Sequence, residues 1–409
     1  MKSCVVWRLG VVALGFASVA PSRDWPGWRG PARDGVSVGE APPQTWSEQS
    51  QVRWRTPVPG RGHSSPTVAA GKVFLSTAYD LDQRQSVLAF DAQSGRVLWE
   101  TVLHRGGLEP SLSRQASHAS ASVTWDEGRL YAAFLNQKAI HVSALDTEGR
   151  ILWQKRVSDY VTVRAYGGSP LIHGDLVIIN ADHKEGGRIV ALEKSSGRER
   201  WVLERGKFQN YPSPVVFQLN GIPQLITAGG SKLTSVDPAS GRVLWEVEGP
   251  TETTVTTPVT DGRAVFVSGG FPRSHVSAIA ADGKGGVIWQ SGSGIYVPSM
   301  LVAGDSVVGL QDTGRIVVWR AQDGEELWRE KLDREFFASP VMAGEILYAT
   351  ALSGVTHVIK RVGSAWSVVA RNQLGDEAFA SPAIAEDRIF LRHAKQGEPR
   401  EEFLWCIGK

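Results

Sequence analysis

Short apolar strands alternate with Gly-rich turns along nearly the whole chain, and one ordered set keeps returning. Its clearest copy runs Lys72-Val73-Phe74-Leu75-Ser76, then Ser86-Val87-Leu88-Ala89-Phe90, then the turn Asp91-Ala92-Gln93-Ser94-Gly95, then Arg96-Val97-Leu98-Trp99. Runs of four to eight residues rich in Val, Ile, Leu and Phe, bounded by Gly, Asp and Ser, predict β-strands. Before the first of these strands stands a Ser-Pro pair or a relative of it. The openings are Ser65-Pro66, Ala121-Ser122, Ser169-Pro170, Ser213-Pro214, Thr257-Pro258, Pro298-Ser299, Ser339-Pro340 and Ser381-Pro382. Pro costs least at the first residue of a strand, where its missing N–H is not needed. Counting the strand that the pair itself opens, each unit holds four short strands.

The strand-ending tryptophans are Trp54, Trp99, Trp153, Trp201, Trp245, Trp289, Trp328 and Trp366, spaced 38 to 54 residues apart. Four strands at this period predict an all-β, eight-bladed propeller. No long segment has a 3.6-residue apolar period, so helical solenoids are excluded. In each turn the Asp side chain can bond backbone N–H groups ahead of it, and the Gly takes positive φ. The recurring Trp offers a large apolar face to the neighbouring blade, so all eight are expected to be structural docking residues. The last unit begins at Ser381-Pro382 and stops at Lys409, one strand short. Val52–Val58 looks like the end of a unit without its beginning. Completing the last blade with it closes the ring and removes both sheet edges.

What precedes the repeats divides in two. Lys2 and Arg8 flank a short apolar run, Leu9 to Ala20, that ends in Ser18-Val19-Ala20. This reads as a signal peptide over residues 1–20, too short to span a bilayer comfortably. Residues 21–50, with Trp25, Trp28, Arg29 and Arg33 among several Pro and Gly, form an N-terminal arm. Exposed Trp is costly, so the arm is expected to lie packed on the propeller body of residues 51–409.

Composition narrows the function classes. The 44 Gly, 21 Pro, 15 Trp and 42% hydrophobic residues belong to a β-rich globular chain. Removing residues 1–20 takes the formal charge from +2 to zero, which gives no reason to expect nucleic-acid binding. Of two cysteines only Cys406 would remain, so no internal disulfide can form. The expected mature protein is periplasmic or extracellular, monomeric and without a transmembrane span.

The repeat Asp-x-x-Ser-Gly followed by Arg-Val-Leu-Trp resembles the tryptophan-docking motif of the pyrroloquinoline-quinone-type (PQQ-like) β-propellers. The resemblance covers residues 52–409. The stretch Trp25-Pro-Gly-Trp-Arg-Gly-Pro-Ala-Arg-Asp-Gly35 is also similar to the start of a subgroup of exported bacterial propellers. The superfamily includes quinoprotein alcohol and glucose dehydrogenases and BamB-like proteins of outer-membrane assembly, so the resemblance implies fold more than activity. The dehydrogenases carry a vicinal cysteine pair, a Glu/Asn/Asp calcium site and an Asp base. This chain has no Cys-Cys. It also lacks the lipid-attachment cysteine expected of the assembly protein.

No catalytic residue and no metal ligand set stands out. The nine His are scattered, without zinc-ligand spacing, and Gly-x-Ser-x-Gly and phosphate-binding loops are missing. In related propellers the loops between blades face a funnel at one end. Here they supply Arg61 and His63, then Arg114, Gln115 and His118, then Arg164 and Tyr166, then Gln209, Asn210 and Tyr211. The other half supplies Thr254, Tyr296, Phe337, Glu377 and Phe379. Such a rim suits a protein partner or a small ligand. The loop His104–Ser117 makes its unit the longest and points to this face. The expected function is a non-enzymatic binding or scaffold protein without a cofactor. The alternatives are a PQQ- and calcium-dependent oxidoreductase with a degenerate site, and a carbohydrate-binding or carbohydrate-acting propeller.

Overall fold

The computed structural model describes residues 23–409 except Ser111, Arg114 and Val163. The expected signal segment and the rim candidate Arg114 lie outside the described residues. The chain forms eight sheets, seven antiparallel ones of four strands and one of five with a single parallel pair, which are the blades of an eight-bladed β-propeller. Blade 1 is Thr67–Ala69, Lys72–Tyr79, Arg84–Asp91 and Val97–Arg105, from the axis outwards. Blade 8 is Ala383–Ala385, Arg388–Lys395 and Glu401–Ile407, completed by Val52–Val58 on its outside with Trp54 opposite Cys406. The ring is closed as the chain ends required.

Successive copies of the turn and the Trp interlock. The Gly of one blade's turn lies on the Trp of the blade before it. A Cβ on Gly95, Gly149, Gly197 or Gly241 would fall 2.4 to 2.8 Å from a ring carbon of Trp54, Trp99, Trp153 or Trp201. These glycines also have φ between +68° and +83°. The turn thus admits no side chain for two independent reasons. The indole N–H then reaches a carbonyl in the same turn: Trp54 to Ala92 (3.2 Å), Trp99 to Thr147 (3.0 Å), Trp153 to Lys194 (2.9 Å), Trp289 to Ala321 (2.9 Å). Asp91 holds its turn through the N–H of Gln93 (3.1 Å) and Ser94 (2.7 Å).

Trp366 departs from this scheme. At seven joints the docking Trp stands beside a β-bulge, as Trp99 does opposite Ala89 and Trp328 opposite Val318. In blade 7 the same place, opposite Val358, belongs to Ala370, because the hairpin Val355–Val362 and Ala365–Gln373 is longer than its counterparts. Trp366 lies near the hairpin turn opposite Arg361 and packs into the cluster shared by blades 6 and 7. The arm supplies the absent indole. Phe74, Tyr131, Phe266 and Phe390 face Trp99, Trp153, Trp289 and Trp54 at 5.8 to 6.1 Å between ring centroids. Tyr348, the corresponding residue of blade 7, faces Trp46 at 6.2 Å. Asn372, two residues past Ala370, accepts from the Trp46 backbone N–H and donates to the Gln44 carbonyl, both at 2.9 Å. Thr56 and Thr101, two residues past their Trp, bind the turn carbonyls of Gly95 and Gly149 in the same way, at 2.7 Å.

The rest of the arm occupies the central channel. Trp25 exchanges backbone hydrogen bonds with Val68 of blade 1, and the Pro26 carbonyl accepts from Trp125 of blade 2. Arg29 is buried and gives its guanidinium to the carbonyls of Ser299, Met300 and Asp34. Burial lowers its pKa to about 10 and leaves it charged. Val36–Ser37 then pairs parallel with the inner strand of blade 7, and this is the fifth strand.

Candidate functional site: a blind funnel

In every blade the inner strand runs from the Ser-Pro pair to a tight turn. The pairs, the inter-blade loops and the hairpins between second and third strands therefore share one end of the ring. The pairs do more than open strands. The backbone N–H at each pair donates to the hydroxyl of the next: Ser65 to Ser122 (2.9 Å), Ser122 to Ser169 (3.0 Å), Ser169 to Ser213 (3.0 Å), Thr257 to Ser299 (2.9 Å), Ser299 to Ser339 (2.8 Å), Ser339 to Ser381 (2.8 Å) and Ser381 to Ser65 (3.0 Å). Seven links of an eight-member circle surround the axis. Buried N–H groups that Pro-flanked backbone cannot place in a sheet ladder are satisfied across the blade joints.

Above this circle opens a cup of about 390 Å³. Its floor is Trp28 of the arm, whose indole N–H points to Thr257 Oγ1 at 3.4 Å. Aromatic side chains form an arc of wall: Tyr211, Tyr296, Phe337, Phe379 and His63. His63 lies flat on Phe379 with ring centroids 4.0 Å apart, and Phe337 meets Phe379 at 5.2 Å. Burial, reinforced by the positive charges of Arg61, Arg392 and Arg400, holds the His63 pKa well below its usual value, so the ring is neutral. Burial raises the Tyr211 hydroxyl to about 12. Among the described residues three charged groups line the cup: Arg164 from the loop between blades 2 and 3, Asp312 from blade 6 and Glu335 from the loop between blades 6 and 7.

Of the rim residues read from sequence, His63, Gln115, Arg164, Tyr211, Tyr296, Phe337 and Phe379 line this cup. The other described ones serve the wall behind it. Tyr166 is buried and gives its hydroxyl to the Asn180 carbonyl (3.1 Å). Gln209 donates to Thr162 (2.6 Å). Asn210 and Thr254 are buried and bond one another and the Ala228 carbonyl. His118 is held between Asp80 (2.8 Å) and the Glu109 carbonyl (3.0 Å), which pins the long loop of the first joint. Arg61 pairs its backbone with Ala78, and Glu377 is paired with Arg400 (2.5 Å). Among the described residues no three His, Cys, Asp or Glu come together as metal ligands.

Comparison with known proteins accords with this architecture. The family model described as "Outer membrane protein assembly factor BamB" matches residues 45–159, 83–271 and 272–398. The chain belongs to this BamB family of PQQ-like propellers. It is 23% identical to the BamB of Yersinia pestis over 340 residues, 78% of this chain and 80% of that protein. It is 22% identical to the BamB of Shewanella oneidensis over 346 residues, 80% of this chain and 81% of that protein. Among solved structures, BamB from Moraxella catarrhalis superposes with a TM-score of 0.61 at 14% identity, covering 87% of this chain and 96% of that one. Quinohemoprotein alcohol dehydrogenase from Comamonas testosteroni superposes with a TM-score of 0.67 at 12% identity, covering 96% and 82%. At such identities the structures speak for the fold alone.

The features that give this BamB-family propeller its cup include three that the loop sequences did not single out. Trp28 sits in the arm, and only its position beside Trp25 in a Pro- and Gly-rich stretch hinted at burial. Asp312 lies in a hairpin within blade 6. Strand direction puts such hairpins at the funnel end, so tracing direction blade by blade would have found it. Glu335 stood in a loop already under consideration, beside Phe336 and Phe337.

Proposed function

We propose that the protein is an exported, non-enzymatic propeller that acts in the periplasm by binding a polypeptide, with the blind funnel as its contact surface. The observation that carries this reading is the contrast in how charge is used at the funnel end. Glu377, His118 and Asp182 are matched with Arg400, Asp80 and Arg205. Arg164, Asp312 and Glu335, which line an aromatic cup, make no ion pair within the described residues. Unmatched charge and clustered aromatic rings in a preformed concavity are the features of a recognition site. The names of the relatives, assembly factors of the outer membrane, support a protein partner and a periplasmic location.

The cup fits pyrroloquinoline quinone poorly. That tricarboxylate needs cations, and the described residues of the wall offer one guanidinium against two carboxylates. A calcium ion to bridge it would need clustered oxygen ligands, and among the described residues Asp312 and Glu335 are the only carboxylates of the cup wall.

The test is photo-crosslinking from benzoylphenylalanine placed at Tyr296 and Phe337 in the cup and at Gln93 in a turn at the opposite end. The expected result is a discrete polypeptide adduct from the two cup positions and none from Gln93. Equal labelling from all three, or none from the cup, removes the reading. A rise in melting temperature with quinone and calcium, together with dye-linked oxidation, establishes the oxidoreductase instead. Retention on a glycan array without any polypeptide adduct establishes the carbohydrate binder.

A further inference from the structure

We infer that the funnel takes a zwitterionic peptide segment that lies across the ring, its anionic side chain at Arg164 and its cationic side chain at Asp312 and Glu335. The inference rests on the polypeptide-binding reading and gives the partner's chemistry. Its basis is the angular placement of the charges. Arg164 leaves the joint of blades 2 and 3, whereas Asp312 belongs to blade 6 and Glu335 to the joint of blades 6 and 7. In a closed ring of eight blades, four blades separate diametrically opposite points. The cup therefore has a positive pole and a negative pole facing each other across the axis. All three groups are at least partly exposed and carry no ion-pair partner among the described residues.

The Trp28 indole floors the cup, and Tyr296, Phe337 and Phe379 rise from the joints of blades 5 and 6, 6 and 7, and 7 and 8. These rings favour an apolar or aromatic residue beside the cationic one. Below the aromatic wall run the hydroxyls of the Ser-Pro circle. Seven of the eight have accepted a neighbour's N–H and keep an O–H to donate, suitable partners for the carbonyls of a peptide backbone. Other ligand classes meet only part of this. A free amino acid holds its two charges too close together to reach opposite walls. A neutral sugar leaves both poles unmatched, and a dianion or a dication meets repulsion at one of them. The volume, about 390 Å³, is that of a site for a small ligand or a short peptide stretch.

The experiment uses the full mature chain and three tripeptides blocked at both ends: Lys-Phe-Glu, Lys-Phe-Lys and Glu-Phe-Glu. Isothermal titration gives the affinity of each for the wild type, for Arg164→Glu and for the double variant Asp312→Lys, Glu335→Lys. All three positions are at least partly exposed, and circular dichroism confirms that the variants are folded. The wild type is expected to prefer Lys-Phe-Glu by about five-fold or more over either like-charged peptide, the scale of partly exposed charge pairs. Arg164→Glu makes all three of these charges negative and is expected to turn the preference to Lys-Phe-Lys. The double variant makes all three positive and is expected to turn it to Glu-Phe-Glu. Equal affinity of the wild type for all three peptides, preferences that do not follow the variants, or no binding of any tripeptide overturns the inference. In that event cup-specific crosslinking of a polypeptide would still leave the broader reading standing, whereas loss of that crosslink removes both.

Discussion

Replacing Trp46 by Ala tests whether the arm substitutes for a missing blade residue. Trp46 is 5% exposed and stacks on Tyr348 at an interplanar angle of 30°. Truncating a buried Trp costs about 3–5 kcal/mol. Its indole N–H has no partner, so removal also releases an unsatisfied donor and recovers about 1 kcal/mol. The expected loss is about 3 kcal/mol. For a folded body of this length, unfolding entropy of about 2 cal/mol/K per residue turns that into a fall of about 4 °C in Tm, if the ring melts as one unit. The informative variant is the second one. Ala370→Trp alone places a new indole where Trp46 already lies, and overpacking costs about 1–3 kcal/mol. Trp46→Ala with Ala370→Trp moves the indole from the arm to the strand position used by the other blades. The pair is expected to be more stable than the sum of the single changes by about 2 kcal/mol or more. Calorimetric melts of the four proteins complete the cycle. Additive losses would refute the claim that both side chains compete for one space.

Three further outcomes follow from the ring itself. Deleting residues 52–58 bares the edge of Glu401–Ile407, with Phe403, Leu404 and Trp405 beside it, and is expected to give aggregation or a Tm more than about 10 °C lower; size-exclusion and thermal melts decide. Gly149→Ala is expected to cost about 2–4 kcal/mol by denaturant titration, because its Cβ would sit 2.6 Å from Thr101 Oγ1 and 2.8 Å from the Trp99 ring at φ +83°. Gly71→Ala, at φ +72° with open space around it, is expected to cost only about 1 kcal/mol. His393 is fully buried, and burial lowers its pKa to about 4 against a bond to the Leu374 carbonyl (2.7 Å) that raises it. The unfolded chain therefore binds the proton first as pH falls from about 6.5 to 4, which removes about 3 kcal/mol of stability in that window. His393→Gln is expected to flatten this part of the stability–pH curve, and an unchanged curve would show that His393 does not titrate there.

The fold was legible because propeller architecture is written in repetition. Turn, Trp and Ser-Pro pair each recur with the blade period, and the strand missing from the end is present near the beginning. Legibility stopped where repetition stopped. Trp366 falls at the expected spacing, yet a longer hairpin moves it out of register and puts Ala370 in the docking place. Spacing along the chain cannot reveal a bulge position. Trp46 does in space what a blade Trp does, but no motif surrounds it. The rim was legible by loop and not by residue. The loops before blades 3, 4 and 5 supply Tyr166, Gln209, Asn210 and Thr254, whose polar atoms close the wall on itself, while Arg164 and Tyr211 from the same loops face the cup. Neighbouring residues on an irregular loop point opposite ways, and only the backbone path decides which.

Two of the arm's three tryptophans, Trp28 and Trp46, have separable work, and that separation links fold to function. Trp46 fills a joint at the outer part of blade 7 and touches nothing in the cup. Trp28 is half-buried, floors the cup and is tied to the body by one long hydrogen bond, 3.4 Å to Thr257. Neighbours on both sides, Trp25 and Arg29, are buried and anchored independently, so the arm keeps its path without the Trp28 side chain. Trp28→Ala is therefore expected to leave the Tm within about 1 °C, as surface-facing changes do. Affinity for Lys-Phe-Glu should fall about ten-fold, the scale of an aromatic anchor at the centre of a site. Trp46→Ala should do the reverse: a lower Tm and unchanged affinity below it. If Trp28→Ala unfolded the protein, the plug would be structural rather than a floor for ligand. If folded Trp46→Ala lost the peptide, the joint of blades 7 and 8 would be coupled to the cup through the arm, and closure and recognition would be one function instead of two.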